Sequence, residues 1–292
     1  MTFSYYPGCT LKTKASNLED SALACMEALG IEVTELPTWY CCGTVYSLAN
    51  DDLTRLLAPL RNLIRIRDEG GGKAVTLCSF CYNTLKRANG VMREDAEKRT
   101  ALNGFLDEEA DYSGEVRVVH LLEILRDEIG WEGVAQQVRR PLDGLKLAPY
   151  YGCTLLRPEG AGIDHPERPT VLRDFIEALG GEAVNFPFAA ECCGAFQVVN
   201  HPELVQECAW NILSSALRWG AEALVTSCPL CEYNLSRRQE ELTQKYSDYR
   251  RVPILYFTQA LALSLGLAPK VCRFELNGVD PRPLLERKGL LG

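Results

Sequence analysis

Ten of the thirteen cysteines in this chain form one five-cysteine pattern that occurs twice. Each copy has a single cysteine, then an adjacent pair followed by glycine, then a Cys-x-x-Cys motif. The first copy consists of Cys9, Cys41, Cys42, Cys78 and Cys81, and the second consists of Cys153, Cys192, Cys193, Cys228 and Cys231. Thiolates are soft ligands for zinc and iron–sulfur clusters, and they also form disulfides. Two equal sets of five therefore predict two equivalent chemical centres.

The chemistry of a Cys-x-x-Cys motif taken alone is ambiguous. After a strand and at the start of a helix it is typical of thiol-redox sites, and it is also half of a common zinc site. The adjacent cysteine pair favours another centre, because a tetrahedral zinc ion needs only four ligands and neighbouring cysteines are awkward partners on one ion. The tight cysteine run of ferredoxins is absent from the sequence. The residues favour an iron–sulfur centre unlike a plain ferredoxin cluster, with a zinc-stapled, non-catalytic scaffold as the alternative.

The segments around the cysteines repeat as well, which indicates an internal duplication. Tyr-Tyr-Pro-Gly-Cys at 5–9 resembles Tyr-Tyr-Gly-Cys at 150–153, and Glu-Ala-Leu-Gly occurs at both 27–30 and 177–180. We expect two similar domains, residues 1–140 and 145–292. The glycine- and proline-containing segment 130–149 is the natural junction between them.

Short apolar runs alternate with longer amphipathic segments in both halves, the pattern of an α/β fold. In the first half the expected strands are 2–6, 31–35, 74–77 and 116–119, and the expected helices are 18–29, 53–69, 79–89 and 121–128. In the second half the strands are 147–151, 183–186, 223–226 and 254–256, and the helices are 170–179, 202–219, 230–246 and 257–265. The prediction is two pseudo-symmetric, Rossmann-like halves, each with a short, mostly parallel sheet flanked by helices.

This arrangement predicts that the five cysteines of each half meet. The single cysteines and the Cys-x-x-Cys motifs directly follow expected strands, and each cysteine pair lies in a loop between a strand and a helix. The carboxyl ends of parallel strands share one edge of the sheet, where ligands normally bind. We therefore expect one centre at the strand C-terminal ends of each half.

The composition narrows the class of protein. The chain has 292 residues, 47% hydrophobic and 24% charged, as in ordinary globular proteins. A net charge of −8 argues against nucleic-acid binding. The N-terminus lacks the features of a signal peptide, and the most apolar stretch, 254–269, is too short and too polar to span a bilayer. A cytoplasmic protein with reduced thiols and no membrane insertion is expected, with an oxidised, disulfide-stapled protein as the alternative.

The doubled cysteine pattern resembles the CCG domain family, and two such domains without a ferredoxin module resemble the HdrB subunit of heterodisulfide reductase. The resemblance extends from Cys9 to Cys231 and includes all ten motif cysteines. It implies two non-cubane 4Fe–4S clusters, each bound by the five cysteines of one copy. It also implies an oxidoreductase acting on sulfur groups, which reduces a disulfide of the coenzyme M–coenzyme B type to two thiols. Its implied partners are the ferredoxin-like HdrC subunit and the flavin-bearing HdrA subunit.

Cleaving a disulfide takes two electrons and produces two thiolates, so two clusters facing one cavity would give the duplication a purpose. Lys12, Lys14 and Arg157 follow the two single cysteines and are candidates for attracting a small anionic disulfide, Lys12 and Arg157 above all. An alternative is an electron-transfer component of a bacterial oxidoreductase complex with another acceptor, such as a protein disulfide, a quinone or another dehydrogenase.

The remaining titratable and thiol residues of interest have structural interpretations. Cys25, Cys208 and Cys272 fall outside the repeat and are expected to pack as small hydrophobic residues. His120 is expected to be a hydrogen-bonded structural histidine, and His165 and His201 are expected at the surface. The charged stretch from Arg93 to Arg99 is interpreted as a solvated face.

Overall fold

A computed structural model describes residues 1–44 and 53–291. The first half contains, in chain order, β1 Thr2–Tyr5, α1 Ser16–Ala28, β2 Glu32–Glu35, α2 Thr54–Asp68, β3 Lys73–Thr76, α3 Ser79–Glu94, α4 Ala96–Phe105, β4 Arg117–His120 and α5 Leu121–Glu123. A π-helical segment, Ile124–Ile129, extends α5, and α6 Trp131–Gln137 leads to the second half.

The second half contains β5 Lys146–Pro149, α7 Val171–Ala178, β6 Glu182–Ala183, α8 Pro202–Arg218, β7 Ala223–Thr226, α9 Pro229–Lys245, β8 Ile254–Tyr256, α10 Phe257–Ser264 and α11 Arg282–Arg287. Short 3-10 helices occur at Ala195–Val198, Pro269–Cys272 and Phe274–Leu276. No helix within 1–44 and 53–291 is both long and apolar enough to cross a membrane.

Each half contains a four-stranded parallel sheet, in the order β2-β1-β3-β4 and β6-β5-β7-β8. The identical order confirms the predicted α/β fold with two repeated halves. Strand β2 lies on one side of β1, and β3 lies on the other side. The strand order therefore reverses between β1 and β3. The same reversal lies between β5 and β7. A crevice opens at such a point beyond the carboxyl ends of the strands.

The strand order places β1 and β3, or β5 and β7, in the centre of each sheet. Every residue of the inner strand β7 is buried, as a parallel strand covered on both faces requires, whereas the edge strand β2 is largely exposed. The loops that leave these central strands are held by the best-packed part of the fold.

The two halves pack against each other through α1 and α10, and one hydrophobic cluster contains buried residues of both. The hydroxyl oxygens of Ser21 and Thr258 lie 2.6 Å apart in this buried interface. Trp131 of α6 packs edge-on against Phe175 of α7, with ring centroids 6.2 Å apart. Since α6 lies before residue 140 yet packs on the second half, the domain boundary near 140–145 stays a prediction.

Three local predictions differ from the structure. Helix α3 continues to Glu94, and α4 begins directly after it because Asp95 caps its N-terminus, accepting a hydrogen bond from the Lys98 N–H at 2.9 Å. The stretch from Arg93 to Arg99 has no buried residue, in agreement with its interpretation as a solvated face, although the helix boundary at Asp95 was not expected. Strand β6 has two residues instead of the expected four, and the helical segments after residue 265 were not expected.

Candidate metal centres

The cysteines lie at the reversal point of each sheet. Cys9 follows β1 and Cys78 follows the adjacent β3, while Cys81 lies in the first turn of α3. In the second half the corresponding positions are Cys153 after β5 and Cys228 after β7, with Cys231 in the first turn of α9. Each cysteine pair approaches this edge from the loop after β2 or β6. The cysteines of each half therefore lie at the crevice where parallel sheets bind ligands.

The five thiols of the first half form a continuous series of contacts. The sulfur atoms of Cys9 and Cys41 are 3.6 Å apart. Cys41 and Cys81 lie close enough to Cys42 to lower its pKa, and Cys42 and Cys78 lie close enough to Cys81 to raise its pKa. Cys9 and Cys41 are exposed, whereas the other three thiols are buried. The first set thus has a buried inner side and an outer side open to solvent.

The second half repeats the same series. The sulfur atoms of Cys153 and Cys192 are 3.8 Å apart. Cys153 and Cys193 lie close enough to Cys192 to lower its pKa, and Cys193 and Cys228 lie close enough to Cys231 to raise its pKa. Cys192 is exposed and Cys153 half-buried, while the remaining three are buried. The expected convergence of five thiols in each half is therefore present, whereas their role as ligands stays a prediction.

Gly8 and Gly152 allow the backbone to approach these thiols closely. Both have positive φ, +75° and +64°. A Cβ at Gly8 would lie 2.7 Å from the Cys81 sulfur, and a Cβ at Gly152 would lie 3.1 Å from the Cys231 sulfur. Only glycine accepts this conformation without strain at so short a distance. The glycine before each single cysteine is thus required by the shape of the site.

The thiols in each set compete for negative charge. Hydrogen bonds from Cys41 and Cys81 hold the pKa of Cys42 well below its usual value, while bonding to Cys42 and Cys78 raises the pKa of Cys81. Hydrogen bonds from Cys153 and Cys193 likewise lower the pKa of Cys192 to about 2. One thiolate is thus stabilised by neighbouring S–H groups that cannot all ionise with it. Five thiolates can coexist here only around a cationic centre.

The donor set fits an iron–sulfur cluster better than one zinc ion. Each set offers five soft sulfur donors, one more than a tetrahedral zinc ion takes, and the backbone glycine beside Cys81 or Cys231 leaves room at the site. Soft thiolates are the ligands that iron–sulfur clusters require. The residues therefore fit a polynuclear centre in each half.

Sequence reasoning missed a buried tyrosine behind each set. The Tyr6 hydroxyl donates to the Tyr40 carbonyl at 2.8 Å, and the Tyr150 hydroxyl donates to the Glu191 carbonyl, also at 2.8 Å. These carbonyls belong to the residues directly before Cys41 and Cys192. Burial raises the pKa of both tyrosines, so their hydroxyls stay protonated and donate. Aligning the repeat on the single cysteines pairs these tyrosines and would have singled them out.

Replacing Tyr150 with phenylalanine is expected to destabilise the protein more than the same change at Tyr6. The Tyr40 carbonyl keeps a second donor, the Asn62 side-chain amide at 3.0 Å, whereas the Glu191 carbonyl has only Tyr150 in the described residues. We expect a loss of about 1–3 kcal/mol for Tyr150→Phe and about 0.5–1 kcal/mol for Tyr6→Phe. Urea unfolding followed by circular dichroism measures both, and equal losses would contradict the assignment.

The two sets adjoin each other across the interface between the halves. The hydroxyl oxygens of Ser79 and Ser227 are 2.7 Å apart and buried, and these serines are the direct neighbours of Cys78 and Cys228. The Asn83 amide, also from α3, donates to the Thr154 carbonyl next to Cys153 at 2.8 Å. The Cys-x-x-Cys segments of the two halves therefore touch.

The basic side chains near the single cysteines differ in their surroundings. The Lys12 ammonium group forms ion pairs with Glu19 at 2.8 Å and Glu35 at 2.7 Å. Arg157 instead donates to two backbone carbonyls, those of Ala190 at 3.1 Å and Pro166 at 3.3 Å. Lys14 is exposed. Carboxylates thus neutralise the charge of Lys12, whereas the guanidinium of Arg157 bonds only neutral oxygen atoms among these partners.

The residues assigned structural roles are placed as expected. His120 is fully buried and its Nε2 lies 2.9 Å from the Leu77 carbonyl oxygen. Burial lowers the pKa of His120 to about 4, so the ring is neutral near pH 7. Cys25 and Cys272 are buried, and Cys208 is half-buried on α8. His165 and His201 are exposed.

A family model described as "Cysteine-rich domain" (CCG) matches residues 3–86 and 147–236. The chain is 32% identical to the membrane anchor subunit of the 8-methylmenaquinol:fumarate reductase of Wolinella succinogenes, over 97% of this chain and 98% of that protein. It is 28% identical to the B subunit of the ferredoxin/F420H2-dependent CoB–CoM heterodisulfide reductase of Methanosarcina acetivorans, over 95% of this chain and 93% of that protein.

Two further comparisons extend the likeness. The chain is 29% identical to an HdrB-like protein of Archaeoglobus profundus, over 92% of both chains. A crystal structure of a hypothetical protein from Helicobacter pylori superposes with a TM-score of 0.75 at 16% identity, which shows a common fold. The match covers 94% of this chain and 51% of that one, so this chain spans about half of the solved protein. The duplicated cysteine sets, the two matched domains and the relatives together show that the chain belongs to the cysteine-rich CCG domain family and resembles the HdrB subunits of heterodisulfide reductases.

Proposed function

We propose that this chain is the catalytic iron–sulfur subunit of a heterodisulfide-reductase-like complex that reduces a small anionic disulfide to two thiols. In this proposal each half binds one non-cubane 4Fe–4S cluster. The ligands are Cys9, Cys41, Cys42, Cys78 and Cys81 in the first half, and Cys153, Cys192, Cys193, Cys228 and Cys231 in the second. The observation that carries it is the contact between the two sets at Ser79 and Ser227.

Two centres that lie side by side suit a reaction in which each centre binds one of the two sulfur atoms of the same bond. The sulfur–sulfur bond of R–S–S–R′ breaks when two electrons and two protons are added, forming RSH and R′SH. When bound, an iron–sulfur cluster in each half would supply one electron and a Lewis-acidic iron for one of the two sulfur atoms. The exposed outer sides of the sets, at Cys9, Cys41 and Cys192, are where a disulfide reaches them from solvent.

The names of the relatives support both the proposed type of complex and the proposed place of this chain as its B subunit. Two of them are named as the B subunits of CoB–CoM heterodisulfide reductases, and the sequence matches extend over nearly their full lengths. By analogy we propose a ferredoxin-like HdrC partner and a flavin-bearing HdrA partner as the source of electrons. The coenzyme M–coenzyme B disulfide is the proposed type of substrate.

A second candidate function is supported by the Wolinella succinogenes relative. That protein is named as part of an 8-methylmenaquinol:fumarate reductase and aligns over 98% of its length at 32% identity. In this alternative the two centres transfer electrons within a bacterial oxidoreductase complex, with a quinone or another dehydrogenase as the partner. The same ten cysteines would hold the clusters, and only the acceptor would differ.

One experiment tests the proposal and separates the candidates. The purified protein, reconstituted with iron and sulfide under anaerobic conditions, is analysed for iron, acid-labile sulfide and zinc. It is then assayed with reduced viologen as donor and either the coenzyme M–coenzyme B disulfide or a menaquinone analogue as acceptor. About eight irons with disulfide reduction support the first function. Eight irons with menaquinone turnover alone support the second, and a zinc protein would overturn both.

Reversing the charge of Arg157 is expected to weaken binding of an anionic disulfide. Because no carboxylate among the described residues pairs with Arg157, Arg157→Glu should raise KM about tenfold with little change in kcat, which corresponds to about 1.4 kcal/mol. Lys12→Gln is the matched control and should change KM less than threefold, because Glu19 and Glu35 already neutralise Lys12. An unchanged KM in Arg157→Glu would exclude this role.

A further inference from the structure

A buried side chain, Asn234, contacts the second thiol set. This residue lies on α9, one turn beyond Cys231, and is fully buried. Its side-chain amide nitrogen is 2.7 Å from the Ala195 carbonyl oxygen, 3.3 Å from the Cys193 carbonyl oxygen and 3.5 Å from the Cys193 sulfur. Carbonyl oxygens can only accept hydrogen bonds, so the two carbonyls fix the amide with its N–H groups toward the sulfur.

The orientation of Asn234 is maintained at a cost. Its Oδ1 is buried and has no hydrogen-bond partner in the part of the chain that the structure describes. A buried acceptor without a partner is destabilising, because it has lost its hydrogen bonds to water. The residue it holds, Ala195, has a positive φ of 45°, which is uncommon for a residue with a side chain. The contacts of the Asn234 N–H groups at the Cys193 turn offset both costs.

The described residues of the first half supply no such donor. Aligning Cys81 with Cys231 places Thr84 at the position of Asn234. Among residues 1–44 and 53–291, Thr84 makes no hydrogen bond to Cys42, the counterpart of Cys193. At these two positions the backbone donates alike, because an N–H of Thr44 donates to Cys42 and an N–H of Ala195 donates to Cys193. Among the residues that the structure describes, the side-chain amide is therefore an extra donor that Cys193 has and Cys42 lacks.

A hydrogen bond to a ligand sulfur withdraws electron density from it and favours the reduced, more negative cluster. The effect is strengthened by the low polarity around a fully buried donor. Resting on the proposed function, in which both sets hold iron–sulfur clusters, we infer that Asn234 is a positioning residue that gives the second centre the higher reduction potential. The first electron delivered to this protein therefore resides at the Cys153–Cys231 set, and the first set is reduced afterwards.

The inference is tested by redox titration of the reconstituted full-length chain, followed by electron paramagnetic resonance. Cys42→Ala, which retains only the second centre, and Cys193→Ala, which retains only the first, assign the two midpoint potentials. We expect electron occupancy to favour the second centre at least tenfold, which is about 59 mV for a one-electron couple. Equal potentials, or a higher potential at the first centre, would overturn the inference.

Two variants then test Asn234 itself. Asn234→Leu should lower the potential of the second centre toward that of the first and leave the first unchanged. If this variant fails to load its second cluster, Thr84→Asn introduces an amide on the first half, with Thr84→Val as the matched control. Thr84→Asn should raise the first potential, whereas Thr84→Val should not. Loaded clusters whose potentials respond to none of these changes refute the role of Asn234 alone. A wild-type chain that binds no iron at either set refutes the proposed function.

Discussion

Replacing Cys42 with alanine is expected to halve the iron and acid-labile sulfide content, from about eight to about four of each per chain. Cys42 is the buried centre of the first set, in contact with Cys41 and Cys81, so its removal interrupts the series of thiols at its middle. The second set shares no cysteine with the first. Its cluster should therefore be retained, and Cys193→Ala should give the mirror result.

Iron and sulfide analysis after anaerobic reconstitution measures this effect. Cys25→Ala is the matched control, because Cys25 is equally buried but lies on α1, where its thiol contacts the Thr258 carbonyl at 3.5 Å. This control should retain the wild-type iron content. Loss of all iron in Cys42→Ala would mean that the ten cysteines form one shared centre, and an unchanged iron content would exclude Cys42 as a ligand.

Disulfide reduction is expected to fall at least 100-fold in either one-centre variant, instead of falling by half. The reaction adds two electrons to one bond, and the two sets meet at Ser79 and Ser227, so each set would serve one sulfur of the same substrate. Residues that act as one unit give strongly non-additive losses. The double variant Cys42→Ala/Cys193→Ala should therefore be little worse than either single variant.

Steady-state assays with reduced viologen and the coenzyme M–coenzyme B disulfide measure these three variants beside the wild type. Iron content is determined on the same samples, so that the loss of activity is compared with the loss of one cluster. If each single variant retains about half of the wild-type kcat, the two centres work independently. That result would remove the reason for placing the two sets side by side, while leaving the iron–sulfur assignment intact.

The convergence of the cysteines could be predicted because it depends on the position of each cysteine directly after a strand. In a parallel sheet, every loop after a strand reaches the same edge, whatever the detailed packing. The positions of Cys9 after β1 and Cys78 after β3 are therefore consequences of sequence pattern and strand order. The unexpected start of α4 at Ala96 has the opposite cause, since a single capping contact of Asp95 divides one helical region into two helices.

The basic residues show where sequence order was insufficient. Lys12 and Arg157 occupy similar places after the two single cysteines, and the sequence offered no reason to distinguish them. Glu19 and Glu35 come to Lys12 only when α1 and β2 are folded against the loop after β1. Which charged groups form a pair is decided by the packing of the chain, so the ion pairs of Lys12 do not follow from the spacing of residues.

The sequence by itself determined the duplication, the two sets of five thiols and the sheet edge at which they meet, because these follow from repeat, spacing and the direction of parallel strands. Only the tertiary structure decided that the two sets adjoin at Ser79 and Ser227 and that Asn234 distinguishes them. Both features depend on side chains that contact one another across distant parts of the chain. The serine contact arises from the packing of the two halves against each other, and the Asn234 contact arises from the packing of α9 on the Cys193 turn within the second half; no local pattern encodes either.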